Sequence, residues 1–264
     1  MFAKLLKQHW RSTKGVLGLL CAIILISGVA IGLSVRFLTG WSDTAQWLET
    51  VFVTVTMFCF LAVGICCAAG LIYLLYHYYQ TRFTDQGYLT FTLPVSQHQL
   101  LLSGVTGVVL GNLLVLLTAA VAVALALGIM VLSIPENVQT LGLLREEFGM
   151  LWHSLWEVLG SHGGTLLKFL GLAVVFGLSE VVLLMLSVTC GALIAKKHPL
   201  LMTAVVYYGI RAAQTIFYGI VTASTLLAGT TTALLTTMAL TSLAILLGGY
   251  FLMYYLTSRK LNLT

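Results

Sequence analysis

Two charges stand where a chain this apolar should have none. Glu180 and Arg211 each lie inside a long run of Leu, Val, Ala and Ile. A charge in hydrocarbon costs at least ~2.5–3.5 kcal/mol unless it is paired or wetted, so such residues face a bundle interior or a cavity. Between them lies the basic turn Lys196-Lys197-His198-Pro199. Counting back from that turn at 1.5 Å per residue puts Glu180 ~24 Å and Arg211 ~18 Å above it, on two helices that must run antiparallel. The offset of ~6 Å is within reach of an Arg side chain, which predicts an ion pair. The alternative is that each charge finds its own partner or water. Arg211 also belongs to a stripe. Tyr207, Arg211, Gln214, Tyr218, Thr222 and Thr225 recur on one face of one helix. A polar, aromatic face on a membrane helix either lines a passage or holds helices together.

Enzyme chemistry finds little footing. His9, His77, His98, His153, His162 and His198 are scattered along the chain, and no two stand at the HExxH spacing that seats a catalytic zinc. Glu146 and Glu147 lie on the polar side of an amphipathic segment, where a solvated face accounts for them. No Gly-rich GK[ST] run occurs, so no ATP site of that kind is expected on this chain. Cys21, Cys59, Cys66, Cys67 and Cys190 all fall in apolar runs without metal-ligand spacing, as small core residues do. Neither a catalytic residue nor a metal site is expected.

One polar interruption differs in character. It runs Arg82-Phe-Thr-Asp-Gln-Gly-Tyr-Leu-Thr-Phe-Thr-Leu-Pro-Val-Ser-Gln-His-Gln99 between two apolar stretches. Asp85 can cap a short helix and Pro94 can end it. Tyr88, Leu89 and Phe91 supply apolar anchors of the kind that dominate protein interfaces. The alternative for these aromatics is that they dip into the lipid leaflet.

The elements that must carry these residues follow from composition. The chain has 264 residues, 59% of them hydrophobic and 8% charged, with a mean hydropathy of +1.03. A soluble domain is ~25% charged. A chain this poor in charge reads as an all-α polytopic membrane protein. A membrane barrel would show short alternating strands instead. Six spans are expected, at about 15–37, 51–79, 100–134, 166–195, 200–219 and 237–257. Residues 1–14 set Phe2, Leu5, Leu6 and Trp10 against Lys4, Lys7, Arg11 and Lys14. That pattern suits an interfacial amphipathic helix or a simple topogenic flank, and no cleavable signal is expected. Gly28 and Gly32 form a small-residue stripe, as do Gly104, Gly107 and Gly111 beside Asn112. Tyr73, Tyr76, His77, Tyr78 and Tyr79 resemble an aromatic belt at the water boundary. Residues 135–165 read as an extramembrane amphipathic region. The stretch 220–236 leaves surplus length, used either by two long helices with a small turn or by a re-entrant hairpin.

Orientation follows from the basic residues. With both termini in the cytosol, Lys4, Lys7, Arg11, Lys14, Arg82, Lys196, Lys197, Arg259 and Lys260 lie inside, nine of the 13 Lys and Arg. Six of the eight acids, Asp43, Glu49, Glu136, Glu146, Glu147 and Glu157, then lie outside. The net charge of +5 is therefore a topology signal, and no nucleic-acid partner is expected.

The run from Tyr79 to Ser96, placed between a second and a third span, resembles the permease subunits of ABC type-2 exporters. It is most similar to compact bacterial ones, in which an acidic-Gly-Tyr-Leu-x-x-Thr-Leu-Pro-Val/Ile-Ser run precedes the third helix. The likeness covers the whole chain in layout and is specific over about residues 79–100. It implies an ABC type-2 exporter fold of six transmembrane helices with an N-terminal interfacial connecting helix. It also implies a cytosolic coupling helix between spans 2 and 3, seated in the ATPase. By the resemblance that helix would be Asp85, Gln86, Gly87, Tyr88, Leu89, Thr90 and Phe91, ended by Pro94. A re-entrant hairpin at 220–236 is also implied, while the large 135–165 region departs from the minimal pattern. The expected partners are two copies of a separate ATPase subunit, a second permease subunit (itself or a close paralogue) and membrane lipids. ATP and Mg would bind the partner, with no cofactor on this chain. The expected location is the bacterial cytoplasmic membrane, and the expected cargo an amphipathic peptide, drug or lipid moved by alternating access. The competing expectation is a non-transporting anchor or sensor that docks an ATPase.

Overall fold

The computed structural model describes residues 2–40, 46–84, 96–132, 139–195, 198–228 and 231–260. The described residues form six helices: α1 (Phe2–Gly40), α2 (Gln46–Phe83), α3 (Gln97–Leu132), α4 (Gln139–Ile194), α5 (Pro199–Ala228) and α6 (Thr231–Lys260). All six contain a segment long and apolar enough to cross a membrane. The protein is a polytopic all-α membrane protein. Its surface agrees with that class, since large apolar side chains such as Leu167 and Phe251 are 74% and 70% exposed. Such faces suit a medium as apolar as they are.

Helix ends follow local chemistry. Ser96 opens α3 by accepting a bond from the Gln99 amide at 3.4 Å through its hydroxyl, and from the Leu100 amide at 3.1 Å through its carbonyl. A serine followed three residues later by Gln is the N-terminal signature of a helix. Pro199 opens α5 at the first helical position, where its missing N–H is no loss.

Several elements are longer than the sequence pattern suggests. The interfacial segment 1–14 and the first span are one helix, α1. The 135–165 region and the fourth span share a helix too, because α4 runs unbroken from Gln139 to Ile194. The breakers at these junctions are glycines alone: Gly15 in α1, and Gly160, Gly163 and Gly164 in α4. Glycine costs a helix about 1 kcal/mol but does not end it as proline does. Stretch 220–236 follows the long-helix alternative, with α5 reaching Ala228 and α6 starting at Thr231.

By packing, the chain divides into two compact units. The first comprises Met1–Trp10, Leu74–Val109 and Leu167–Thr264. Its core centres on α4, where Val181, Val182, Leu183, Met185, Leu186 and Val188 are buried together with Ser187 and Thr189. Gly249 of α6 lets that helix approach Val182, and Gly191 lets the end of α4 approach Pro199 and Thr203 of α5.

The second unit comprises Arg11–Tyr73 and Leu110–Leu166. Here the Gly28–Gly32 stripe of α1 does what its spacing suggests. A Cβ on Gly28 would lie 2.6 Å from the Ala122 carbonyl oxygen and 2.8 Å from the Ala122 Cβ. One on Gly32 would lie 2.9 Å from the Ile129 Cβ. Helices α1 and α3 therefore meet backbone to backbone, the contact that small residues permit in lipid. Overpacking such a contact costs ~1–3 kcal/mol. Gly28→Ala is expected to lower the melting temperature of the purified protein by several degrees. Gly18→Ala, which meets nothing within 4 Å, is expected to leave it unchanged or raise it. Equal effects of the two on thermal unfolding would contradict this packing.

Candidate functional site

The first unit holds two polar clusters. One surrounds Arg211. Its Nη2 donates to Glu180 Oε2 of α4, the ion pair that the hairpin count anticipates. Its Nη1 donates to Gln214 Oε1 at 3.0 Å and its Nε to Tyr207 Oη at 3.3 Å, with the guanidinium 5.6 Å from the Tyr207 ring centre. Gln214 Nε2 donates in turn to Tyr218 Oη at 3.0 Å. Tyr218 Oη lies 2.7 Å from Thr241 Oγ1 on α6. Thr241 gives its only hydroxyl proton to the Thr237 carbonyl at 2.9 Å, so Tyr218 is the donor in that contact. The result is a one-way donor chain, Arg211 to Gln214 to Tyr218 to Thr241, ending on a backbone carbonyl. It joins α4, α5 and α6. The charged pair is not sealed, with the Arg211 and Glu180 side chains 28% and 21% exposed. Thr222 turns back to the Tyr218 carbonyl at 2.7 Å. The Thr225 side chain lies outside the described residues.

The second cluster lies where α2 ends and α3 begins. Arg82 is buried and donates through Nη2 to the Leu100 carbonyl, 18 positions along the chain. Its guanidinium lies 5.2 Å from the Tyr78 ring centre, and Tyr78 Oη lies 3.4 Å from Thr189 Oγ1 of α4. Gly104 makes room, since a Cβ there would lie 2.7 Å from Arg82 Nη2. A turn further along α3, Gly107 accommodates the His9 ring of α1, which meets the His77 ring edge-on at 4.9 Å. On the other side of the α3 start, His98 Nδ1 lies 2.5 Å from Tyr250 Oη of α6.

The residues between these two helices, Asp85, Gln86, Gly87, Tyr88, Leu89, Thr90, Phe91 and Pro94, lie outside the described residues. The sequence pattern missed the Arg82 cluster. It counts Arg82 among the inner basic residues and Tyr78 as a belt residue, whereas both are buried. The Tyr78–Arg82 spacing of four on a helix, opposite small Gly104, is the signal that could have found it.

No protein-family model, curated protein or solved structure matches the chain. Among the described residues no group of His, Cys, Asp or Glu is placed to hold a metal ion. The second unit contains a cavity of about 180 Å³. Its walls, including Ile31, Phe60, Val63 and Leu127, are apolar and offer no reactive group.

Removing one member of a partly buried ion pair leaves the other charge without its partner, whereas removing both charges does not. Glu180→Gln and Arg211→Gln are each expected to destabilise the protein more than the double variant does. The coupling energy should be ~1–2 kcal/mol, at the upper end for polar contacts between membrane helices. Thermal unfolding of the four proteins measures it, and additive effects would mean that the pair contributes no coupling.

Proposed function

We propose that this chain is the transmembrane subunit of an ATP-driven exporter of the ABC type-2 kind. It would couple ATP hydrolysis on a separate subunit to export of an amphipathic peptide, drug or lipid. The observation that carries this reading is the run Asp85-Gln-Gly-Tyr-Leu-Thr-Phe-Thr-Leu-Pro-Val-Ser96 between the second and third of six apolar helices. A plain connection needs no Tyr, Leu and Phe in water. A docking segment does, because aromatic and aliphatic anchors supply most interface energy.

Six apolar spans and the absence of a GK[ST] run in the sequence support a membrane subunit that borrows its ATPase. The partners on this reading are two ATPase subunits, which bring ATP and Mg, and a second permease subunit. The basic-residue bias supports cytosolic termini, and the resemblance to compact bacterial permeases supports a bacterial cytoplasmic membrane location. The 85–91 segment would be the coupling helix and residues 1–14 the connecting helix. The Arg211 stripe, partly open and polar, would be the part of the chain that meets cargo.

A second reading is a non-transporting anchor or sensor that docks an ATPase. The observation favouring it is that the Arg211 stripe is largely occupied with itself, Tyr207, Arg211, Gln214 and Tyr218 bonding to one another along one face.

The reading is tested with the ATPase that co-purifies with the chain. Tyr88→Asp with Phe91→Asp is expected to weaken its association at least tenfold, the loss of about 1.4 kcal/mol or more that two interface anchors supply. Unchanged association and unchanged ATP turnover would remove the coupling assignment. ATP turnover stimulated by amphipathic peptides, with their uptake into inside-out vesicles, separates the exporter from the anchor.

A further inference from the structure

The cluster around Arg82 brackets the one polar segment that the sequence singles out. Arg82 is the last charged residue of α2, and Leu100 lies in the first turn of α3. The bond from Arg82 Nη2 to the Leu100 carbonyl therefore ties the two ends of the intervening segment together. Arg82 is 7% exposed, and among the described residues no carboxylate pairs with it. A buried guanidinium is expensive unless its charge and donors are met. Two features offset that cost, the carbonyl of Leu100 and the face of Tyr78, which attracts a cation through its ring quadrupole. Tyr78 is itself 1% exposed and reaches Thr189 on α4. The absence of a side chain at Gly104 leaves the space in which the guanidinium lies.

We propose that Arg82 is a positioning residue for the 85–95 segment: it clasps the end of α2 to the start of α3, so that the two helices carry the segment as one body. This rests on the reading of that segment as the ATPase contact. Without the clasp each end would move with its own helix, and a push on the segment would be lost in their relative motion. Arg rather than Lys suits the position. Its planar guanidinium lies against an aromatic face while keeping a donor for the carbonyl, whereas an ammonium is a compact point charge.

The test has an arm that needs no ATPase. Spin labels at Thr84→Cys and Gln97→Cys, in a background without the native cysteines, report the distance across the clasp. Both labelled positions are exposed. The parent protein is expected to give one narrow distance distribution. Arg82→Gln is expected to broaden it at least twofold. Gly104→Ala keeps the guanidinium but fills its space, and is expected to broaden it as well. Gly128→Ala, which meets nothing within 4 Å, is the control and should leave it narrow.

In the ATPase complex, Arg82→Gln and Gly104→Ala should leave ATPase affinity within about threefold of the parent while substrate-stimulated turnover falls at least tenfold. Arg82→Lys should recover part of that turnover. Narrow distributions in folded Arg82→Gln and Gly104→Ala overturn the clasp. So does failure of both variants to fold, which would make Arg82 a core residue only. If the distributions broaden but no ATPase binds the parent protein, the clasp stands and the coupling reading fails.

Discussion

Hydrocarbon offers no hydrogen bonds, so every polar group in a span must find its partner within the protein. This constraint explains most of the polar geometry here. Hydroxyls in the spans turn back to carbonyls one turn earlier, as in Ser187 to Leu183, Thr203 to Pro199 and Thr257 to Met253. Such groups are satisfied without leaving their own helix, so they tie it to nothing. The cationic side chains cannot do this. Arg211 takes a carboxylate, an amide and a phenol. Arg82 takes a backbone carbonyl and a ring face. The same constraint gives one cation a balanced pair and the other a buried charge among the described residues.

What could be read from the sequence follows from the range of each signal. Spans announce themselves, because hydropathy over ~20 residues is a local sum that no tertiary contact reverses. The Glu180–Arg211 pair was legible because a tight turn at Pro199 makes α4 and α5 antiparallel neighbours, which converts sequence distance into height. The Gly28–Gly32 contact was legible as a small-residue stripe, though not its partner Ala122. Helix ends were less legible. Gly15 and the glycines at 160, 163 and 164 mark weak places in a helix, and only packing decides whether a weak place becomes a break.

The Arg82 clasp was much harder to read. It joins segments that are far apart in sequence, and its parts read individually as something else. Tyr78 reads as a belt residue, Arg82 as an inner charge, Gly104 as a helix-packing position and His9 as one of six scattered histidines. Their common purpose depends on which face of α2 turns inward at its last two turns. In a helix as evenly apolar as α2, hydropathy does not choose that face.

In the first unit the two clusters meet on one element. Thr189 and Glu180 both belong to α4, nine residues and hence ~13.5 Å apart. The first contacts Tyr78, on which Arg82 lies, and the second holds Arg211. Apolar helix faces in lipid are weakly directional, because sliding one past another exchanges contacts with side chains for contacts with lipid tails. A hydrogen-bonded polar pair is directional, and a slide of even half a turn breaks it. The few polar contacts between helices therefore set their register, out of proportion to their number. With α4 held by Tyr78 at one level and by Arg211 at another, the helix cannot shift along its axis without breaking one contact or carrying its neighbours with it. A helix with a polar contact at each of two levels is thus tied to α2 at one level and to α5 at the other.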